Sequence, residues 1–212
     1  MPPEERREQL LDATLELIGE RGFGAATIEA VARRAGVARP VVYRLFGDRA
    51  GLLEELFARE EERALGQIAA AIPAIPGDRD PDELLVAGLR VFLGAVAASP
   101  STWRLVLVDI DSAPAELRAE VARRRGLVRG QIEQVVAWGV ERRGGPEGLD
   151  IELFARMVQT FAEEAARLLI ADPQRFPTER FLAMVELLLA SMERGRPDPD
   201  LPPPQLEIQA AD

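Results

Sequence analysis

The sequence predicts an all-α protein of about nine helices: an N-terminal three-helix head built round a helix-turn-helix, and a C-terminal helical bundle as its body. Three observations lead there. Apolar residues recur at helical spacing along most of the chain, and glycines and prolines interrupt that periodicity at intervals that suit helix ends. One stretch, VARRAGVARPVVYRLF at 31–46, also holds four arginines and no acid within a chain of net charge -10. At 212 residues and 47% hydrophobic content, the chain can fill a core of its own.

In the first helix Leu10, Leu11, Thr14, Leu17 and Ile18 form the apolar stripe, and Gly22 is placed to end it in a left-handed cap. Thr27 is a good N-cap for IEAVARRA, although the acid at Glu29 stands one position short of a capping box. That second helix ends near Gly36. A third begins about Ala38 and runs through RPVVYRLF; Pro40 suits its first turn, where a missing N–H has no helical partner to lose. Gly47 breaks it, Asp48 caps the next helix, and that fourth helix extends to Pro73.

PAIPGDRDP is a loop, after which DELLVAGLRVFLGAVAA forms a largely buried helix ending at Ser99 and Pro100. In STWRLVLVDID the run Leu105 to Val108 suits a strand by propensity, but a single strand has nothing to pair with, so a helix is expected. A long helix then runs from Ala115 to about Arg142 and closes at GGPEG. Two more span 150–171 and 178–194, separated by DPQRFP. The expected organisation is a head at 1–48, a body at 49–194 and a proline-rich tail at 195–212, too poor in apolar surface to offset the entropy of ordering it.

Cysteine and histidine are both absent. That excludes a disulfide framework, a zinc site built on nitrogen or sulfur, and a Ser-His or Cys-His pair; a di-iron bundle needs histidine as well. No catalytic residue, metal ligand or cofactor is nominated, and the chain is expected not to be an enzyme. No apolar run approaches the ~18 residues of a membrane span, and MPPEERREQLL lacks the apolar centre of a signal peptide, so a cytoplasmic protein with no membrane partner is expected. Residues 1–50 carry eight arginines (6, 7, 21, 33, 34, 39, 44, 49) and eight acids (4, 5, 8, 12, 16, 20, 29, 48), so the remaining chain holds the whole -10. A neutral head with a basic patch, on an acidic body, points to an anionic partner for the head.

With Gly36 as the turn, small Ala32 lies one helical turn earlier, where crossing helices approach closely. Val31, Ala35, Val37, Val42 and Leu45 supply the seam between them. In such a motif the second helix enters the major groove of DNA, and any carboxylate on it would face phosphates; the missing acids follow.

The run TIEAVARRAGVARPVVYRLFGDRAGLLEEL, with Thr27, Ala32, Gly36, Val37, Tyr43, Phe46 and a basic residue at Arg49, resembles the DNA-binding head of the TetR family of transcriptional regulators. The resemblance covers about residues 10–57; the body is similar in length and helix count. It implies a TetR-like fold, with Thr27 and Tyr43 holding phosphates, Arg39 and Arg44 reading guanine, Pro40 and Val41 meeting thymine methyls, and Arg49 clamping a phosphate. Leu45 stands where many members carry histidine, and Arg49 where they carry lysine.

The resemblance also implies a homodimer through the last two helices. Phe154, Met157, Phe161, Leu168, Phe181, Met184, Leu188 and Met192 there exceed what one-sided packing needs. Twofold symmetry would set two recognition helices on the order of 34–36 Å apart on a palindromic operator of double-stranded DNA. A small organic effector is implied in the body, with Phe92, Val96, Trp103, Leu107, Trp138 and Phe154 as apolar walls and Asp109, Gln159, Thr160 or Glu163 as polar groups. The expected function is a sequence-specific regulator, a repressor released by a lipophilic ligand. The alternative is a helical protein-interaction module whose head is vestigial.

Overall fold

The computed structural model describes residues 2–71, 80–108, 114–115 and 117–192. Among them the chain is all helical, without a strand: α1 Pro3–Arg21, α2 Ile28–Arg34, α3 Arg39–Phe46, α4 Arg49–Ala71, α5 Pro81–Ala98, α6 Pro100–Val106, α7 Arg118–Arg143, α8 Ile151–Ala171 and α9 Thr178–Ser191, with a 3₁₀ turn at Phe23–Ala25. The expected tail at 195–212 lies outside the described residues.

Local chemistry accounts for most boundaries. Thr27 Oγ1 accepts from the Ala30 N–H at 3.1 Å, Asp48 Oδ1 from Gly51 at 2.9 Å, Asp80 Oδ1 from Asp82 at 2.9 Å and Asp150 Oδ1 from Leu153 at 3.0 Å; each satisfies a donor the helix start leaves open. Pro40 sits in the first turn of α3 as expected. Gly22 is a correction. Its φ of 76° is positive, but its ψ of 174° lies outside the left-handed helical region, so α1 ends in an extended glycine conformation while the Gly22 N–H still reaches Ile18 O at 2.8 Å. The Leu105–Val108 run is no strand, but α6 stops at Val106, shorter than STWRLVLVDID suggests; α7 begins at Arg118, three residues after Ala115. α9 closes at Ser191, short of 194.

The chain divides into two compact units. The first is residues 1–64 and 100–122, the second 65–99 and 123–212. The first unit continues well beyond residue 48 because Leu52, Leu53, Leu56 and Phe57 of α4, with Leu105, Leu117 and Val121, join Leu10, Leu11, Val31 and Val42 in one core. Each fully buried Leu is worth roughly 1.5–3 kcal/mol over exposure, so the three-helix head gains much of its stability from outside itself. Beside this core, α4 carries a fully buried carboxylate, Glu60, which accepts from Thr102 Oγ1 of α6 at 2.5 Å, Arg59 Nε at 2.9 Å and Arg63 Nη1 at 2.8 Å. Such a group is tolerable only with its acceptors filled.

In the second unit α5 packs on α8 and α9. Arg143, buried at the end of α7, pairs with Asp82 of α5 at 3.2 Å and donates to the carbonyls of Leu189 and Met192 at 3.0 and 3.3 Å. One guanidinium thus joins the start of α5 to the last turn of α9, where a cation also suits the helix dipole.

Candidate nucleic-acid interface

Positions on α3 follow from which residues it buries. At about 100° per residue, buried Val42 and Phe46 define the inner side, and Pro40, Val41 and Arg44 point away from it; Arg39 and Tyr43 fall on one flank, Leu45 on the other. Pro40, Arg44, Arg39 and Tyr43 are exposed, Tyr43 by 51%, so it does not pack beneath the helix. Val41 is half-buried.

The four arginines of the acid-free stretch have separate roles. Arg34 is held by α1, donating to Glu16 at 3.0 Å and bidentately to Glu20 at 3.0 and 2.7 Å. Its guanidinium beside Glu20 holds that carboxyl below its usual value of 4.5 through the direct hydrogen bond, and Arg34's own pKa is raised in turn. Arg34 therefore fastens α2 to α1, and Arg33 is exposed. Arg44 makes no ion pair among the described residues. Arg39 Nη2 meets Glu29 Oε1 of α2 at 2.7 Å, both side chains more than half exposed. The pairing of Glu29 with Arg39 was not legible in the sequence because the two lie ten residues apart, across the turn, where helical periodicity relates nothing.

Thr27 is exposed at the start of α2, its oxygen engaged by Ala30 and its hydroxyl hydrogen available to an external acceptor. Arg49 departs from the expected phosphate clamp. It turns inward, Nε donating to Ala26 O at 3.0 Å and Nη2 to Phe23 O at 2.9 Å, a carbonyl that the 3₁₀ turn also pairs with the Ala26 N–H at 3.1 Å. It positions the segment that carries Thr27.

Two of the residues expected to line a ligand pocket, Trp138 and Phe154, share a cavity of the second unit. In the second unit a cavity of about 50 Å³ has Trp138 and Phe154 among its walls, with Leu85, Val136 and Leu189, and Arg143 and Asp82 at its polar side. Phe92 and Val96 lie in the same unit but away from its lining; Trp103 and Leu107 belong to the first unit. Gln159 and Glu163 are buried and bonded, Gln159 Nε2 donating to Glu163 Oε1 at 2.9 Å, with Arg125 and Arg167 on the other oxygen. Thr160 is exposed, and Asp109 lies outside the described residues.

Of the expected dimer residues, Met157, Met184 and Leu188 are exposed by 60%, 50% and 54%, and Leu153 and Leu187 extend the same set. Phe161 and Leu168 are half-buried. Phe181 is a correction: it is 8% exposed, edge-on to Phe161 and stacked on Phe176, because an aromatic at that register completes the α8–α9 packing. Among the described residues no acid cluster suits a metal ion, and no single helix is long and apolar enough to cross a membrane.

Residues 10–56 match the family described as bacterial regulatory proteins, tetR family. The HTH-type transcriptional regulator BetI of Escherichia coli (strain K12 / DH10B) is 32% identical over 145 residues, covering 61% of this chain and 73% of that protein. An uncharacterised HTH-type regulator of Mycobacterium tuberculosis (strain ATCC 25618 / H37Rv) is 28% identical over 173 residues, covering 80% and 70%. In fold, the chain is similar to a TetR-like regulator from Rhodococcus sp. RHA1 (TM-score 0.71, 23% identity, 91% of this chain and 100% of that one). It is also similar to FadR from Bacillus subtilis, solved in complex with stearoyl-CoA (TM-score 0.68, 20% identity, 87% and 97%). With an exposed arginine-bearing α3, an all-helical fold among the described residues, and these relatives, the protein belongs to the TetR family of DNA-binding helix-turn-helix transcriptional regulators.

Proposed function

We propose that the protein is a cytoplasmic homodimeric repressor that leaves a palindromic operator when a small lipophilic ligand binds its body. The observation that carries this reading is the apolar set Leu153, Met157, Met184, Leu187 and Leu188 on the last two helices, each at least half exposed in the single chain. A second copy related by twofold symmetry would cover it and present two copies of α3 to two half-sites. Thr27 and Tyr43 would then hold phosphates, with Arg39 and Arg44 over base edges and Pro40 and Val41 against thymine methyls.

The complex of FadR with stearoyl-CoA supports a lipophilic effector by analogy. The 50 Å³ cavity of the second unit is far below the ~300 Å³ of an ordinary ligand pocket, so a ligand there would act by selecting an opened packing. A preference of roughly 5.5 kcal/mol for that state moves the population from one extreme to the other.

The test is selection of bound duplexes from a random DNA pool by the purified protein at two salt concentrations. A palindromic site bound less tightly at high salt is the expected result. A site without twofold symmetry would remove the dimeric reading, and no enrichment at either salt would leave the vestigial-head alternative.

A further inference from the structure

A helix lying in the major groove runs between two walls of phosphates, one from each strand. The phosphate contacts assigned above sit on one flank of α3. Tyr43 is there by helical register, and the 2.7 Å Arg39–Glu29 pair brings the first turn of α2, with Thr27 just ahead of it, to the same flank. The other flank, that of Val41 and Leu45, has no phosphate contact assigned to it.

That flank borders an open trough of about 600 Å³, lined by Val37, Ala38, Val41 and Leu45, by Arg44 of α3 and by Arg6 of α1. Arg6 is fixed in place. Its Nη1 donates to Gln9 Oε1 at 2.6 Å, and Gln9 Nε2 donates to Ala35 O, in the turn between α2 and α3, at 3.2 Å. The chain of bonds ties the half-buried Arg6, which lines the trough, to the turn that sets the direction of α3. The acids of the same turn lie off this face: Glu4 and Glu5 are about 160° and 100° from Arg6 round the helix, and Glu8 is drawn to Arg59 and Arg63 on α4.

We infer that Arg6, oriented by Gln9, holds the DNA backbone phosphate on the second wall of the groove, across α3 from Thr27 and Tyr43. This rests on the DNA-binding reading of α3 but not on the residues that match the family, since Arg6 precedes residue 10. The contact is to phosphate and carries no base information, so Arg6 sets the roll of α3 in the groove and Arg44 does the reading.

The test uses the full chain and the operator selected from the random pool, with the affinity of wild type, Arg6→Gln, Arg6→Lys, Gln9→Ala and Arg44→Ala followed against salt. Arg6→Gln is expected to weaken all bound sequences alike, about tenfold, and to flatten the slope of log affinity against log salt by about 0.9. Arg6→Lys should restore the slope, and Gln9→Ala should weaken binding with the slope retained. A single uncharged methylphosphonate placed along the operator should cost wild type affinity at one linkage where Arg6→Gln loses nothing. Unchanged affinity and slope for Arg6→Gln, with Arg44→Ala still defective, would overturn the inference and leave the DNA-binding reading intact. Absence of salt-dependent binding by wild type would overturn both. Matching helical circular dichroism and melting of the variants excludes misfolding as the cause.

Discussion

At the scale of single residues, the head separates arginines that build the fold from those that face outward. Arg44→Ala, and Arg39→Ala, should each cost roughly 1–3 kcal/mol in operator binding and relax preference at one base pair, read by competition among single-base operator variants. Arg49 belongs to the other class. Its two charged hydrogen bonds to Phe23 O and Ala26 O are worth about 1.5–3 kcal/mol each at most, and its partial exposure places the net nearer the lower figure. Arg49→Ala should therefore lower the midpoint of urea unfolding while leaving the salt slope of DNA binding unchanged; a phosphate clamp would do the reverse. A basic residue at that position was legible in the sequence. Its direction was not, because the carbonyls it reaches lie 23 and 26 residues back in the chain and come beside it only when the helices pack.

At the scale of elements, two joints hold the recognition helix. The first is the α3–α4 turn. A Cβ on Gly51 would lie 2.3 Å from Phe46 O, so the backbone there has no room for alanine. Gly51→Ala should destabilise the protein by roughly 1–3 kcal/mol, as overpacking against a backbone atom does, with loss of DNA binding tracking loss of folding in a thermal melt. The second is the α1–α2 clamp of Arg34 with Glu16 and Glu20. Because the folded pKa of Glu20 is depressed, its contribution is present above 4.5 and is lost as pH falls through the lower folded value. Arg34→Ala should thus be less stable than wild type at neutral pH, and the difference should shrink as pH falls below 4.5, measured by denaturant titration on both sides of that value. The difference is small, since these groups are exposed and screened by solvent. Cap residues, prolines and glycines placed most of these elements correctly from sequence. α6, α7 and α9 missed their expected ends by a few residues because no cap marks them.

At the scale of the whole molecule, the dimer proposal depends on one apolar face. Met157→Glu with Leu188→Glu should yield a monomer in sedimentation equilibrium, with helical circular dichroism retained, and should lower operator affinity by losing the second half-site. A dimer that survives the double substitution would place the interface elsewhere. The apolar excess on the last two helices was visible in the sequence, and so was its approximate membership. Which members face out was not: Phe181 has the same periodicity as its exposed neighbours, and only its packing against Phe161 and Phe176 turns it inward.

What the sequence determined by itself is the set of properties that act over a few residues or through total composition. These are helical period, capping chemistry, the glycine turn of the helix-turn-helix, the acid-free recognition stretch, and the absence of histidine and cysteine. They follow from local hydrogen bonding and steric limits, which need no partner distant in the chain. The tertiary structure alone decided which equivalent side chains meet: Arg39 with Glu29, Arg49 with the turn before α2, Arg6 through Gln9 with Ala35, and Glu60 with Thr102. Each pairing joins groups far apart in sequence, and the chain brings them within hydrogen-bond distance only after its helices pack.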